Sequence, residues 1–285
     1  MPSLIDIRRR IRSVKNTQQI TKAMKMVSAA KLRRAQDRAI ASRPYAKMLN
    51  HVLSNVAAAA ASLDTSDLPL LAVRQENKVQ LIVVTSDRGL AGAFNSNLLK
   101  HTQRFIGERS GASIEIEAIG RKGRDYFRRT RAKMTGEHIG VIDKPSYDEA
   151  AGIARRMIER YSKGEIDALY LTLNEFKSVM APNIVTRRIL PIELPATKQD
   201  HDYIFEESPQ ELLSKLLPRY VELQVYRAML ESNSAEQAAR MTAMDAASSN
   251  AAEVIDTLTL NMNRVRQAAI TREIIEIVSG AAAAQ

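Results

Sequence analysis

Along the last quarter of the chain, Met241, Met244, Ser248, Ala251, Ile255, Leu258, Met262, Val265 and Ala269 recur in alternating steps of three and four. A sustained three-four repeat keeps one stripe facing a partner helix and is the seam of a left-handed coiled coil. No proline follows Pro218, and the only glycine after Gly164 is Gly280. The pattern therefore predicts one helix over 209–285, which at about 1.5 Å per residue spans on the order of 110 Å. No globular core is that wide, so a partner is required.

The first stretch is its natural partner. Residues 3–43 carry no glycine or proline and are rich in good helix formers. Ser3 with Asp6 three positions on is a helix start. Ile7, Ile11 and Val14 open a seam that softens to Gln18 and Thr21, and Ile20, Met24 and Val27 are expected to carry it along a shifted face. Pro44 is expected to kink or interrupt the helix. Tyr45, Met48, Leu49, Val52, Leu53 and Val56 then continue it to about residue 61, to pack against 212–230. Two surface helices on an ordinary core are the plainer alternative.

Between the helices the pattern changes. After a polar connector with Pro69, ten of the eleven glycines lie between Gly89 and Gly164, as an alternating α/β domain needs for its turns. Leu81–Val84 is apolar throughout, as in a parallel strand buried on both faces. Further strands are predicted at 114–119, 138–142, 168–173, 184–190 and 203–205. Helices are predicted at 97–108, 121–131 and 146–162, the last begun by Ser146 and Glu149. The predicted architecture is an α/β domain inserted between two long terminal helices that form an antiparallel coiled coil. Its segments are 1–61, a Rossmann-like domain over 62–208, and 209–285.

Charge sharpens this picture. The net charge is +10, yet residues 1–50 hold thirteen Lys and Arg against Asp6 and Asp37, a net of +11. From Ile7 to Gln36 there is no acid, so this helix attracts an acidic surface or phosphates. The chain has no cysteine, which removes disulfides and thiol chemistry, and its four histidines are too scattered to suggest a zinc site. No run of about eighteen apolar residues and no signal-peptide pattern stands out. A bacterial-type cytoplasmic protein, or a mature form already trimmed, is expected.

Candidate chemistry is sparse. Ser86-Asp-Arg-Gly-Leu-Ala-Gly92 follows a buried strand, where doubly wound sheets bind phosphates. Its spacing is not that of a dinucleotide or phosphate-binding loop. The alternative is a turn that needs glycine, with Asp87 and Arg88 paired. Gly120-Arg-Lys-Gly123 reads as a helix start. Two rivals remain: a basic arm that binds nucleic acid, which lacks aromatic residues for stacking over 7–36, and a nucleotide-dependent enzyme.

Three segments carry a resemblance: Ile7–Lys31 (IRRRIRSVKNTQQITKAMKMVSAAK), Thr85–Asn95 (TSDRGLAGAFN), and Ser234–Met244 (SAEQAARMTAM) with Asn263–Ala281. Together they resemble the gamma subunit of rotary F-type ATP synthases, end to end. Ala91 and Ala93 stand where that family commonly has Cys and Gly, which favours a structural loop. The cysteine-bearing insertion of photosynthetic relatives is absent.

The resemblance implies a single-copy, non-catalytic central-stalk shaft inside three alpha and three beta subunits, with epsilon and the c-ring as further partners. It implies no cofactor, no metal and no nucleic acid, and only peripheral attachment, through the c-ring, at the cytoplasmic face of a bacterial inner membrane. By family position, Lys22, Met24 and Lys25 lie near the acidic lever segments of beta. Arg240, Gln267, Thr271 and Glu273 match polar positions that engage beta loops, and Tyr203, Phe205 and Glu206 match the foot that meets c-ring loops. Beyond Ala269 the seam breaks at Arg272, and Ile274 and Val278 belong to an apolar tip expected to turn in a bearing.

Overall fold

A computed structural model describes residues 3–60, 68–176, 182–193 and 207–283. In order it contains α1 (Leu4–Ala60), a 3-10 turn (Pro69–Leu71), β1 (Lys78–Val84), α2 (Phe94–Glu108), β2 (Ser113–Ile119) and α3 (Arg121–Arg129). β3 (Met134–His138), α4 (Tyr147–Ser162), β4 (Ala168–Phe176), β5 (Pro182–Leu190) and α5 (Pro209–Ala283) complete it. Residues group into two compact units, Ala29–Arg240 and Met1–Ser28 with Met241–Gln285.

In the larger unit the sheet runs β3-β2-β1-β4-β5, with β5 antiparallel to β4 and the other pairs parallel. Its two faces explain the unbroken apolar run of β1. Val79, Leu81 and Val83 join Leu98, Phe105 and Phe127 of α2 and α3. Ile82 and Val84 face the opposite way, in a core with Ile153 and Met157 of α4, Leu53 and Val56 of α1, and Leu213, Leu217, Val221 and Val225 of α5. Ala46 and Leu49 pack with Leu223, so the expected pairing of 45–60 with 212–230 is present.

The smaller unit is an antiparallel helix pair. Lys25 Nζ donates to Asp245 Oδ1 at 2.6 Å, the Thr21 and Ser248 hydroxyls lie 2.8 Å apart, and Gln18 Nε2 donates to the Ser248 carbonyl at 3.4 Å. Met241, Met244, Ser248, Ala251, Ile255, Leu258, Met262, Val265 and Ala269 all turn to the covered side, while 270–279 are exposed.

Four expectations are corrected. The seam of α1 does not shift: Ile20 and Val27 are 59% and 57% exposed, while Thr21 and Ser28 are buried on the original stripe. The Thr21 hydroxyl fits there because it bonds to its own helix backbone, at the Gln18 carbonyl at 3.0 Å, and lies 2.8 Å from the Ser248 hydroxyl. Pro44 does not interrupt α1, which runs on through it with the proline on the exposed side and the stripe continuing through Ser42 and Ala46. Tyr45, Met48 and Val52 point outward, leaving Leu49, Leu53 and Val56 inside. The third strand lies at 134–138 and not at 138–142. Its Gly136 leaves room for the Glu117 carboxylate of β2, where any Cβ would collide. The strand expected at 203–205 lies outside the described residues.

Helix starts agree with the sequence. Ser3 Oγ accepts from the Asp6 amide at 3.2 Å and Asp6 Oδ2 from the Ser3 amide at 3.3 Å, while Ser146 Oγ accepts from the Glu149 amide at 3.3 Å.

Candidate functional site

In an open parallel sheet, ligands bind in the crevice beyond the carboxyl ends of the strands. Here that crevice lies after β1 and β2, lined by the Ser86–Gly92 loop, the start of α3 and the segment after β3. The chain's own groups fill it. Ser86 N–H donates to Asn95 Oδ1 at 3.0 Å. The Asp87 carboxylate accepts from the Arg121 amide at 2.9 Å and from the Gly140 amide at 3.0 Å. A side-chain anion thus stands at the start of α3, where a bound phosphate would otherwise be favoured. Arg88 pairs with Asp143 at 3.4 Å, so the expected Asp87–Arg88 pair is replaced by two separate contacts.

Gly120 and Gly123 serve this closure. Gly120 has φ +98°, and a Cβ there would run into the Thr85 carbonyl. At Gly123 the amide donates to Thr85 Oγ1 at 2.8 Å, and that hydroxyl donates onward to the Ile119 carbonyl at 3.0 Å. The helix start read at Gly120-Arg-Lys-Gly123 is therefore the first turn of α3, stitched to the end of β1.

Across the mouth of the crevice runs α5. From Ala228 to Arg240 nearly every residue is buried, on all sides of the helix, although the stretch is mostly polar and small. Ser232 Oγ reaches the Val84 carbonyl at 3.4 Å, and Asn233 Nδ2 the Asp143 carbonyl at 3.4 Å. Ala235 packs with Ala91 and Phe94. Arg240 Nη2 donates to Glu236 Oε1 at 2.5 Å and to the Gly89 carbonyl at 3.2 Å. Small side chains at Ser232, Ser234, Ala235 and Ala238 let the helix approach the strand ends closely. Glu236 is 1% exposed, and burial pushes its carboxyl above the usual carboxylate range. Arg240 opposes that shift, while Asp143 and Asp87 add to it.

A second polar cluster lies on the α4 face, near β3. Glu117, fully buried, accepts from His138 Nε2 and Thr135 Oγ1 at 2.8 and 2.9 Å and pairs with Arg156. Burial raises its carboxyl, but these partners outweigh it and hold the group below the ordinary range. Each of these four residues is bonded to another member of the cluster. Among the described residues, no set of three or more His, Asp or Glu is placed to hold a metal ion.

The residues singled out by the sequence fall in different settings. Lys22 is exposed, Met24 half-buried, and Lys25 is half-exposed on Asp245. On α5 of the same unit, Gln267, Thr271 and Glu273 are exposed, as are Ile274 and Val278 at 55% and 62%. Arg240 is 7% exposed and committed to Glu236 and Gly89 inside the chain. Tyr203, Phe205 and Glu206 lie outside the described residues. Sequence reasoning missed Glu236 and the enclosure of 228–240. The one signal was a run of small residues where a core helix would carry large ones.

The family model described as ATP synthase matches residues 3–284. A protein of Solibacter usitatus named ATP synthase gamma chain is 63% identical over 286 residues, covering 100% of both chains. One of the same name from Desulfitobacterium hafniense is 50% identical over 99% of both. Among solved structures, a chain of the Euglena gracilis mitochondrial ATP synthase superposes with a TM-score of 0.69 at 19% identity, over 98% of this chain and 94% of that one. A chain of the Tetrahymena thermophila mitochondrial ATP synthase central stalk and c-ring gives 0.61 at 24% identity, over 80% and 99%. At such identities these two show the fold alone.

Proposed function

Because the chain belongs to the ATP synthase gamma chain family, we propose that it is the central-stalk rotor of a rotary ATP synthase. In this reading, proton flow turns the c-ring, the foot over 62–208 turns with it, and the paired helices 1–61 and 209–285 carry the rotation into a ring of three alpha and three beta subunits. Each orientation of the shaft favours different beta conformations, so binding and release of nucleotides at beta follow the shaft by linkage. The chain performs no chemistry of its own. What carries the reading is the end-to-end kinship. The filled crevice supports it, because the place where an α/β domain would hold a nucleotide is occupied by α5 and Asp87.

Lys22 and Met24, with Gln267, Thr271 and Glu273, are the shaft groups proposed to meet beta. Lys25 shares that role with its bond to Asp245. Arg240 leaves the contact set, since its guanidinium is buried on Glu236. Tyr203, Phe205 and Glu206 are proposed to meet c-ring loops, with epsilon beside the foot. Among the described residues no helix is long and apolar enough to cross a membrane, which suits peripheral attachment at the cytoplasmic face of a bacterial inner membrane.

Purification of the tagged chain from its host tests this. Alpha and beta at three copies each per chain, with epsilon and the c-ring, are expected. Recovery of the chain without alpha and beta overturns the proposal.

A further inference from the structure

Buried carboxylates are ordinarily bonded at both oxygens. Glu236 is not: Arg240 takes Oε1, and Oε2, fully enclosed, has no partner. The same Arg240 nitrogen reaches the Gly89 carbonyl, in the middle of the Ser86–Gly92 loop. Arg240 is thus the side chain by which α5 holds the loop that ends β1, and Glu236, one helical turn earlier, fixes where its guanidinium lies. Gln237 Oε1 supports it at 3.3 Å. α5 also meets the strand ends through two long side-chain contacts of 3.4 Å, an apolar patch around Ala235, and the buried core in which Val84 packs with Val221 and Val225.

We propose that Glu236 is a positioning residue for torque transfer: by fixing Arg240 on the Gly89 carbonyl, it locks the glycine loop of the sheet to α5. The lock rests on the rotor reading for its purpose, but not for its existence. A foot turned by the ring passes torque to α5 only where sheet and helix are fastened. An i,i+4 ion pair that also grips a loop carbonyl resists sliding along the helix as well as rotation about it.

The buried carboxyl makes the lock sensitive to pH. The charged groups acting on it are Arg240 on α5, Asp87 on the loop and Asp143 after β3; Gln237 bonds Arg240, and Arg88 pairs with Asp143. Lys122 on α3 lies 4.0 Å from the position a Gly89 Cβ would take. Burial favours the neutral form over the ionised one, with two like charges nearby and one oxygen unpaired. When the lock opens, Glu236 meets water and regains an ordinary acidity, so the closed state binds the proton more tightly. Acid therefore tightens the lock, and it loosens as pH rises through the raised value.

Hydrogen exchange of the Ser86–Gly92 amides in the full chain, corrected for intrinsic rates, reads the lock directly. Glu236→Ala leaves Arg240 unheld and is expected to speed loop exchange on the order of ten- to hundredfold. Glu236→Gln accepts the same hydrogen bond without the charge. It is expected to keep the loop protected and to abolish the rise of exchange with pH expected of the native chain. In the assembled synthase, Glu236→Ala is expected to lower protons pumped per ATP hydrolysed, and Glu236→Gln to restore that ratio. Native-like loop exchange in Glu236→Ala, or the same pH profile in Glu236→Gln as in the native chain, overturns the proposal. If Glu236→Ala does not fold, the Glu236→Gln profile decides alone. Failure of the chain to assemble with alpha and beta would sink the rotor reading and leave the exchange result standing.

Discussion

Glu222 shows how a single buried charge is made tolerable in this chain. Its side chain is 3% exposed, and it accepts from Tyr147 Oη at 2.7 Å, Arg155 Nε at 2.9 Å and Arg219 Nη1 at 3.0 Å. Burial pushes the carboxyl up, but the three donors prevail and leave it below the ordinary range. A carboxylate depressed on folding adds stability above the unfolded pKa and loses it as pH falls through the folded one. Glu222→Gln is therefore expected to cost about 1–3 kcal/mol at neutral pH. It should also flatten the acid edge of the stability profile below about pH 4. Urea unfolding of both chains across that range measures it, and parallel profiles would refute it. Gly120 makes a steric prediction at the same scale. Gly120→Ala places a methyl against the Thr85 carbonyl at positive φ, with an expected loss of about 3 kcal/mol or more. The same denaturation assay reads it, and a loss under about 1 kcal/mol would mean the loop adapts freely.

At the scale of elements, the stripe of α1 separates two residues of identical chemistry. Ile7 is 2% exposed and Ile20 59%. Truncating a buried isoleucine removes transfer free energy and leaves a cavity, about 2–5 kcal/mol, whereas an exposed one is worth under about 0.5 kcal/mol. Ile7→Ala should thus weaken the helix pair strongly and Ile20→Ala hardly at all, as followed by helix circular dichroism in urea. Comparable losses would mean that the stripe does shift toward Ile20, Met24 and Val27. The same stripe explains why hydrophobicity alone misled there. Thr21 and Ser28 are small, so they fit close between helices, while the larger Ile20 and Val27 lie on the outer side, free for another surface.

For the whole molecule, the end of α5 is the telling part. From 270 to 279 every residue is exposed, including Ile274, Ile275, Ile277 and Val278. A helix apolar on several sides needs another surface to cover it. In the rotor reading that surface is the sleeve of the alpha-beta ring, which holds the axis through smooth apolar contact without fixing one angle. Ile274→Asp with Val278→Asp is expected to lower the yield of ring-plus-shaft complex, since two carboxylates would lose water without gaining partners. Removal of 281–285 is expected to leave the yield intact. Equal, native yields for both would show that the tip bears on nothing.

The sequence by itself determined the long helices, the seam of the last one residue by residue, the buried central strand and the α/β insert. Periodicity and glycine placement are local signals, and each of these elements obeys a local rule. It also determined the family, because Ile7–Lys31 and Ser234–Met244 are distinctive as strings. Tertiary structure alone decided which stripe of α1 is covered, since that depends on the shape of the facing helix and not on the hydrophobicity of α1. It alone placed β3, an edge strand whose Gly136 is explained only by the Glu117 carboxylate beside it. And it alone closed the sheet crevice, turning Asp87 onto the amides of Arg121 and Gly140, and Arg240 onto Glu236 and Gly89. Those contacts join residues up to 151 positions apart. Nothing local distinguishes a buried glutamate from a solvated one until the surfaces that enclose it are in place.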